Sequence, residues 1–413
     1  MASDDSIASV SKRAVIVGLA ALYVAAWTLG SLALKTRPSD LDLYFWPSAE
    51  TVIGGHPLVV YSAYLRDAYP NANGPLGMVT LLPVAAVANA LGWAGNLGAR
   101  AALTGAVMSI VLLLLAYQAV CLVARVHGGA ARRVLVACSI LLAPALWFGV
   151  IDYGHVEQPV ELCFVVLAVG CVLRGRDVLA GVALGAAVLA RTIAAFSVVP
   201  FALLPLATRR MRPAVMTVLA CVLTVTAGLA AFVLADEPAL AHSLLGYRGS
   251  LPIGGGSFWV VARQTSFAAL AQYGDVYLAI AVAATLVAII LRCRPAAGTT
   301  SGGLFGLMTL ATACFPLFAK TVFPYYLVEP CVFGALWWLA RPGSARNWRV
   351  LVPLLLTADV FLAKAGTTLP IGASWVAEGI ASSAILAVAA ALVSVDLFRS
   401  PNVAQPDRLL ALG

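Results

Sequence analysis

Apolar runs of roughly 20 residues recur along this chain, separated by short polar connections, and that alternation predicts a series of membrane-spanning helices. The first run covers residues 14–34. Residues 75–93, 101–124 and 134–151 form the next three, and residues 160–173 follow. Residues 177–208 make an apolar run too long for one crossing and bounded by basic turns, so it is expected to enter and return as a helical hairpin with Arg191 at its middle. Further runs lie at 214–235, 276–291, 304–319, 333–340, 351–363 and 381–397. The pattern predicts an all-α polytopic membrane protein of about 11–12 transmembrane helices and a single integral membrane domain over residues 1–413, in which no repeat stands out.

Basic residues set the expected orientation. Lys12 and Arg13 precede the first run, which places the N-terminus in the cytoplasm and the following loop outside. Residues 1–13 and 398–413 are then cytoplasmic tails. Three full crossings would put residues 152–158 inside, whereas the basic turn at Arg174 and Arg176 puts them outside; the arginines imply that one run, 75–93 or the start of the next, does not cross completely. Within the first outer loop, residues 44–53 and 61–68 have mixed faces and are expected to lie flat as interfacial helices about a Gly54–Gly55–Pro57 turn.

Composition narrows the class. Of 413 residues, 62% are hydrophobic and 11% charged, which excludes an ordinary soluble domain. The formal charge of +8 comes from arginines in short connections, so it reads as a topology signal and not as a nucleic-acid surface. Eight cysteines, mostly inside apolar runs and with no CxxC pair, read as small core residues.

The polar residues that remain fall in a few islands. Loop 35–75 carries Asp40, Asp42, Tyr44, His56 and Tyr61; residues 152–158 carry His155 and Glu157; Arg191 lies alone in its hairpin; residues 247–263 carry Tyr247, Arg248 and Arg263; residues 320–329 carry Lys320, Tyr325, Tyr326 and Glu329. Paired carboxylates beside aromatic rings suit sugar chemistry, since a carboxylate accepts a proton from an attacking hydroxyl while rings pack on the apolar faces of a sugar. An arginine deep in an apolar run marks a function or a buried partner, here an anionic group or a pairing with Glu157 or Glu161. All these islands are expected to meet in one hollow on the outer side.

The stretches D-L-D-L-Y (Asp40 to Tyr44), G-x-P-x-x-x-Y (Gly55 to Tyr61) and N-G-P-L (Asn73 to Leu76), followed by G-H-x-E (Gly154 to Glu157) and R-G-R-x-x-L-A-G (Arg174 to Gly181) with Arg191 ten positions on, carry a resemblance. The chain resembles the GT-C superfamily of membrane glycosyltransferases, and within it the family 87 polyprenol-phosphate-mannose-dependent mannosyltransferases. It departs from that family's pattern where His155, Glu157 and Arg191 replace Gln, Asn and Lys, and where Gly74-Pro75 replaces a proline pair. The resemblance implies transfer of a sugar, mannose before arabinofuranose, from a polyprenyl-phosphate-sugar donor to a glycolipid or envelope-glycan hydroxyl on the outer face, without nucleotide or other cofactor. It implies Asp40 as general base, with Asp42 as the alternative base or acceptor-orienting group. Arg191 and Lys320 are the candidate donor-phosphate ligands. Tyr44, His56, Tyr61, His155, Glu157, Tyr325, Tyr326 and Glu329 are candidates for the sugar and acceptor pocket. No third acidic ligand accompanies the aspartates, so no metal is expected. The rival readings are a transporter or flippase of a lipid-linked sugar, and a structural subunit of an envelope-polymer assembly.

Overall fold

The apolar runs fold into helices nearly throughout. The computed structural model describes residues 3–35, 37–62, 71, 73–126, 129–207, 211–247, 251–263, 265–293, 301–341, 347–366 and 373–399. In chain order the α-helices are α1 (Ser3–Leu34), α2 (Trp46–Ile53), α3 (Pro75–Val79), α4 (Leu82–Ala90), α5 (Leu97–Val126), α6 (Ala130–Leu141), α7 (Pro144–Trp147) and α8 (Glu157–Val172). They continue as α9 (Asp177–Ala190), α10 (Ala195–Ala207), α11 (Met211–Ala241), α12 (Gly274–Cys293), α13 (Ser301–Phe318), α14 (Val328–Ala340), α15 (Leu351–Gly366) and α16 (Ala373–Arg399). Two short strands, β1 (Gly254–Gly255) and β2 (Thr321–Val322), pair in parallel, Gly254 opposite Thr321.

Six segments among the described residues are long and apolar enough to cross a membrane: Ala14–Leu34, Leu97–Val123, Ala130–Tyr153, Met211–Gly246, Ser301–Phe318 and Trp375–Phe398. The chain is thus an all-α polytopic membrane protein with fewer full-length spans than the sequence count anticipates. The reason is local: prolines and polar residues cut several apolar runs short. The run over residues 75–93 splits at Thr80–Leu81 into α3 and α4, each with a proline in its first turn, where the missing N–H costs nothing.

The run over residues 177–208 breaks at Arg191, whose backbone is extended (φ −149°, ψ 123°) between α9 and a 3₁₀ turn, Thr192–Ala194. Gly181 of α9 lies against Thr217 and Ala220 of α11, Gly185 against Cys221 and Thr224, and Gly228 of α11 against Leu189. These contacts climb both helices together, so α9 and α11 run parallel and α10 must return between them. The expected hairpin is present, with Arg191 at its tip. Small residues four apart let the two backbones approach, as membrane helix pairs require.

The helix that contains the apolar run 214–235 continues past it to Ala241. Asp236 leaves helical geometry (φ −162°, ψ 80°) and its Oδ1 accepts the Ala239 N–H at 3.1 Å, starting a new turn with Pro238 near its beginning. Of the expected interfacial helices, residues 44–53 are helical: a π-helical turn (Leu41–Phe45) leads into α2, which buries Trp46, Ser48 and Ala49 and exposes Ile53. Residues 63–70, most of the second, lie outside the described residues, as do Arg248 and the end of the chain from residue 400.

One continuous core runs from Trp27 to Leu397. Its centre is α13, buried along nearly its whole length, while α1 and α11 expose apolar faces such as Leu22, Leu29, Leu219 and Leu223. A bilayer would solvate those faces. Five cysteines, Cys163, Cys171, Cys221, Cys314 and Cys331, are buried in this packing.

Candidate functional site

Glycines bring the polar islands together. Gly154 ends the π-helical turn Phe148–Tyr153 in the left-handed region (φ +81°), and a Cβ there would fall 2.6 Å from the Leu41 backbone nitrogen. Its absence lets the chain bearing His155 pack directly on the turn that carries Asp40. Gly74 likewise rests on the Leu189 carbonyl, so the N-G-P-L stretch seats itself on the end of α9 beside Arg191.

The result is a cavity of about 220 Å³ lined by Asp40, Tyr44, Phe45, Asn73, Tyr153, His155, Arg191, Tyr247, Leu251, Phe323, Tyr325 and Tyr326. Residues from all five polar islands contribute. Asp40 supplies the one carboxylate in this lining, and aromatic rings supply most of the wall. The Tyr44 and Tyr247 hydroxyls are 3.0 Å apart, Tyr153 meets Tyr325 edge-on at 5.1 Å, and the His155 ring lies 3.7 Å from that of Tyr325.

Behind the wall runs a chain of charges. Asp40 Oδ2 is 2.9 Å from His155 Nε2, and His155 Nδ1 is 2.5 Å from Glu157 Oε1. Burial alone would push the imidazole's pKa down. The Glu157 carboxylate and the hydrogen bonds to Asp40 and Glu157 outweigh it, raising the pKa from 6.5 to about 9. His155 is therefore an imidazolium at neutral pH, donating from both nitrogens and holding Asp40 in place. Glu157 in turn lies 3.6 Å from Arg191 Nε, and Arg191 also pairs with Glu161 at 3.7 Å and closely with Glu329.

This geometry revises several expectations. Asp42 does not share the cavity: Lys35 pairs with it at 2.5 Å, Arg100 lies at 3.7 Å, and the Ser39 N–H donates to it at 3.1 Å, so it anchors the loop. Arg191 reaches the cavity wall, but three glutamates compensate its charge, which disfavours the donor-phosphate role and matches the pairing alternative. Its Nη2 has no hydrogen-bond partner among the described residues, a donor suited to a neutral hydroxyl. Lys320 is not in the cavity lining; its carbonyl accepts from Gly254 N beside the short sheet. His56 follows a turn with Gly55 at φ +86° and is exposed. Tyr61 is buried against Phe232 and donates to the Asn73 carbonyl at 2.9 Å, so it positions a cavity residue without lining the cavity. Glu157 and Glu329 stand behind His155 and Arg191 and do not line the pocket. Tyr44, His155, Tyr325 and Tyr326 do line it, as expected.

Asn73, Tyr153, Phe323 and Leu251 also line the cavity without having been singled out as binding residues. All four lie inside the polar islands 35–75, 152–158, 247–263 and 320–329, and that membership is the signal that marks them. Lys364 on α15 pairs with Asp152 and lies 5.2 Å from the Tyr153 ring centroid, and nothing local in its apolar helix indicates this. No family model matches the chain, and no curated protein is significantly similar to it.

Proposed function

We propose that this protein transfers a sugar, mannose by the resemblance, from a polyprenyl-phosphate-sugar donor to a hydroxyl of a glycolipid or envelope glycan. We place the cavity on the extracytoplasmic face of the cell membrane. The observation that carries the reading is Asp40, the one cavity-lining carboxylate among the described residues, held by an imidazolium in an aromatic-walled hollow inside a membrane helix bundle. The volume lies below the roughly 300–1,000 Å³ of most small-molecule sites, a size that suits one sugar ring with its lipid carrier outside.

In this mechanism Asp40 is the base. As the acceptor oxygen bonds to the anomeric carbon, the bond from that carbon to the phosphate oxygen breaks. The acceptor proton passes to Asp40, and the polyprenyl phosphate leaves with the bonding electron pair, inverting the anomeric centre. His155 carries both ring protons and cannot itself be the base; it fixes the Asp40 carboxylate through Nε2–H. Tyrosine rings pack on the sugar's apolar faces, and Arg191 Nη2 offers a donor to a sugar hydroxyl.

The test is transfer by purified, reconstituted protein supplied with polyprenyl-phosphate-mannose and a glycolipid acceptor. Wild-type protein should form the glycoside and Asp40→Asn should not. Movement of intact donor across the vesicle bilayer with no glycoside formed would replace this reading with lipid-linked sugar transport.

A further inference from the structure

Away from the cavity, α15 and α16 bury two carboxylates for which the described residues show no hydrogen-bonded partner. Asp359 is fully buried and Glu378 is 4% exposed. Neither carboxylate has a hydrogen-bond partner for either of its oxygens among the described residues. The Asp359 carboxylate neighbours Ser382 and Glu378. Ser382 is itself fully buried, and its hydroxyl has no hydrogen-bond partner.

Glu378 and Ser382 address one spot. The point over Gly256 where a Cβ would sit is 3.3 Å from Glu378 Oε1 and 3.5 Å from Ser382 Oγ. On the other side the Glu378 carboxylate lies directly on the backbone of Gly366. Two carboxylates in a low-dielectric interior repel each other and lose hydration, so the cluster is stable only when something positive joins it. The three side chains offer oxygen ligands, which select a hard cation. No third His, Cys, Asp or Glu joins the two acids among the described residues, and with one of the two carboxyls keeping its proton, as like-charged buried acids do, the pair carries a single negative charge that a monovalent ion balances.

We propose that Asp359, Glu378 and Ser382 form an intramembrane site for a monovalent cation of sodium's size. Its occupancy would also steady the cavity. Gly256 N donates to the Val322 carbonyl at 3.1 Å, Val322 precedes the cavity residue Phe323, and Leu251 precedes β1 on the same strap. The site does not depend on the glycosyl-transfer reading.

The experiment is thermal unfolding of the purified full chain in detergent at fixed ionic strength and pH, with sodium, potassium or N-methylglucamine chloride. Sodium should raise the melting temperature in a saturable way, and potassium should do so only at roughly tenfold higher concentration. Ser382→Ala should shift the sodium midpoint several-fold upward. Glu378→Gln should abolish the dependence and melt higher than wild type when sodium is absent. Equal stability in all three salts would overturn the proposal. So would stabilisation by lowered pH that is indifferent to sodium, since protons would then fill the site.

Discussion

At neutral pH the His155 imidazole carries both ring protons because carboxylates face both of its nitrogens, Asp40 at 2.9 Å and Glu157 at 2.5 Å. Its folded pKa of about 9 lies above the unfolded value of 6.5. The stability this interaction contributes is therefore fully present below pH 6.5 and is lost as pH rises through about 9. A shift of this size corresponds to the order of 3 kcal/mol. The difference in unfolding free energy between wild type and His155→Gln should accordingly be largest near pH 6 and shrink towards pH 10; a difference that grows with pH would mean the histidine is neutral. The two aspartates should separate cleanly in the same way. Residues two apart fall on opposite sides of a helical turn, whereas in a strand they share a face. Asp40 and Asp42 sit in and beside the turn Leu41–Phe45, which sends one to the cavity and the other to Lys35. Asp40→Asn should reduce transfer at least a thousandfold while leaving the melting temperature near wild type, and Asp42→Asn should lower the melting temperature while the folded fraction keeps most of its activity. Sequence alone shows two acids in a loop; which one reaches the site depends on whether that loop is helical or extended.

At the scale of elements, the hydrophobic pattern located most helices because a membrane helix leaves a long unambiguous run. The pattern failed where the break was a matter of backbone and not of polarity: the α3–α4 division, the Asp236 turn and the π-helical segments. The glycines inside α9 have a more specific meaning. Gly181 and Gly185 face α11 so closely that a side chain at either would overlap Thr217 or Thr224. Gly181→Val should force α9 from α11, costing about 1–3 kcal/mol, and should move Arg191 with it, since α9 carries that residue at its end. The expected outcome is a lower melting temperature together with reduced donor affinity. Val178→Ala on the exposed face of the same helix should change neither. Equal effects of the two substitutions would show that the helix pair is not what holds the tip of the hairpin.

For the whole molecule, the decisive feature is the buried charge cluster joining segments far apart in sequence: Glu157 and Glu161 from α8, Arg191 from the hairpin tip and Glu329 from α14. The sequence groups most of these charges as polar islands, because buried charges in an apolar chain must find partners. It did not resolve who pairs with whom, since the pairing depends on the direction α10 takes back through the bundle. Removing one member of a buried pair costs about 3–5 kcal/mol, largely because the other charge is left uncompensated, whereas replacing both costs far less. Arg191→Gln alone should therefore destabilise the fold severely by leaving three glutamates facing one another. Adding Glu329→Gln should recover a large part of that loss, a positive coupling measurable by a double-mutant cycle in detergent. A phosphate-binding arginine behaves differently: its neutral variant would fold normally, lose donor affinity, and gain nothing from a second change at Glu329. The folded double variant also tests the remaining role of Arg191, because it lacks the Nη2 donor while keeping the cavity intact. Its transfer activity should fall through a higher donor KM, with kcat little changed, if that nitrogen contacts a sugar hydroxyl and takes no part in bond breaking.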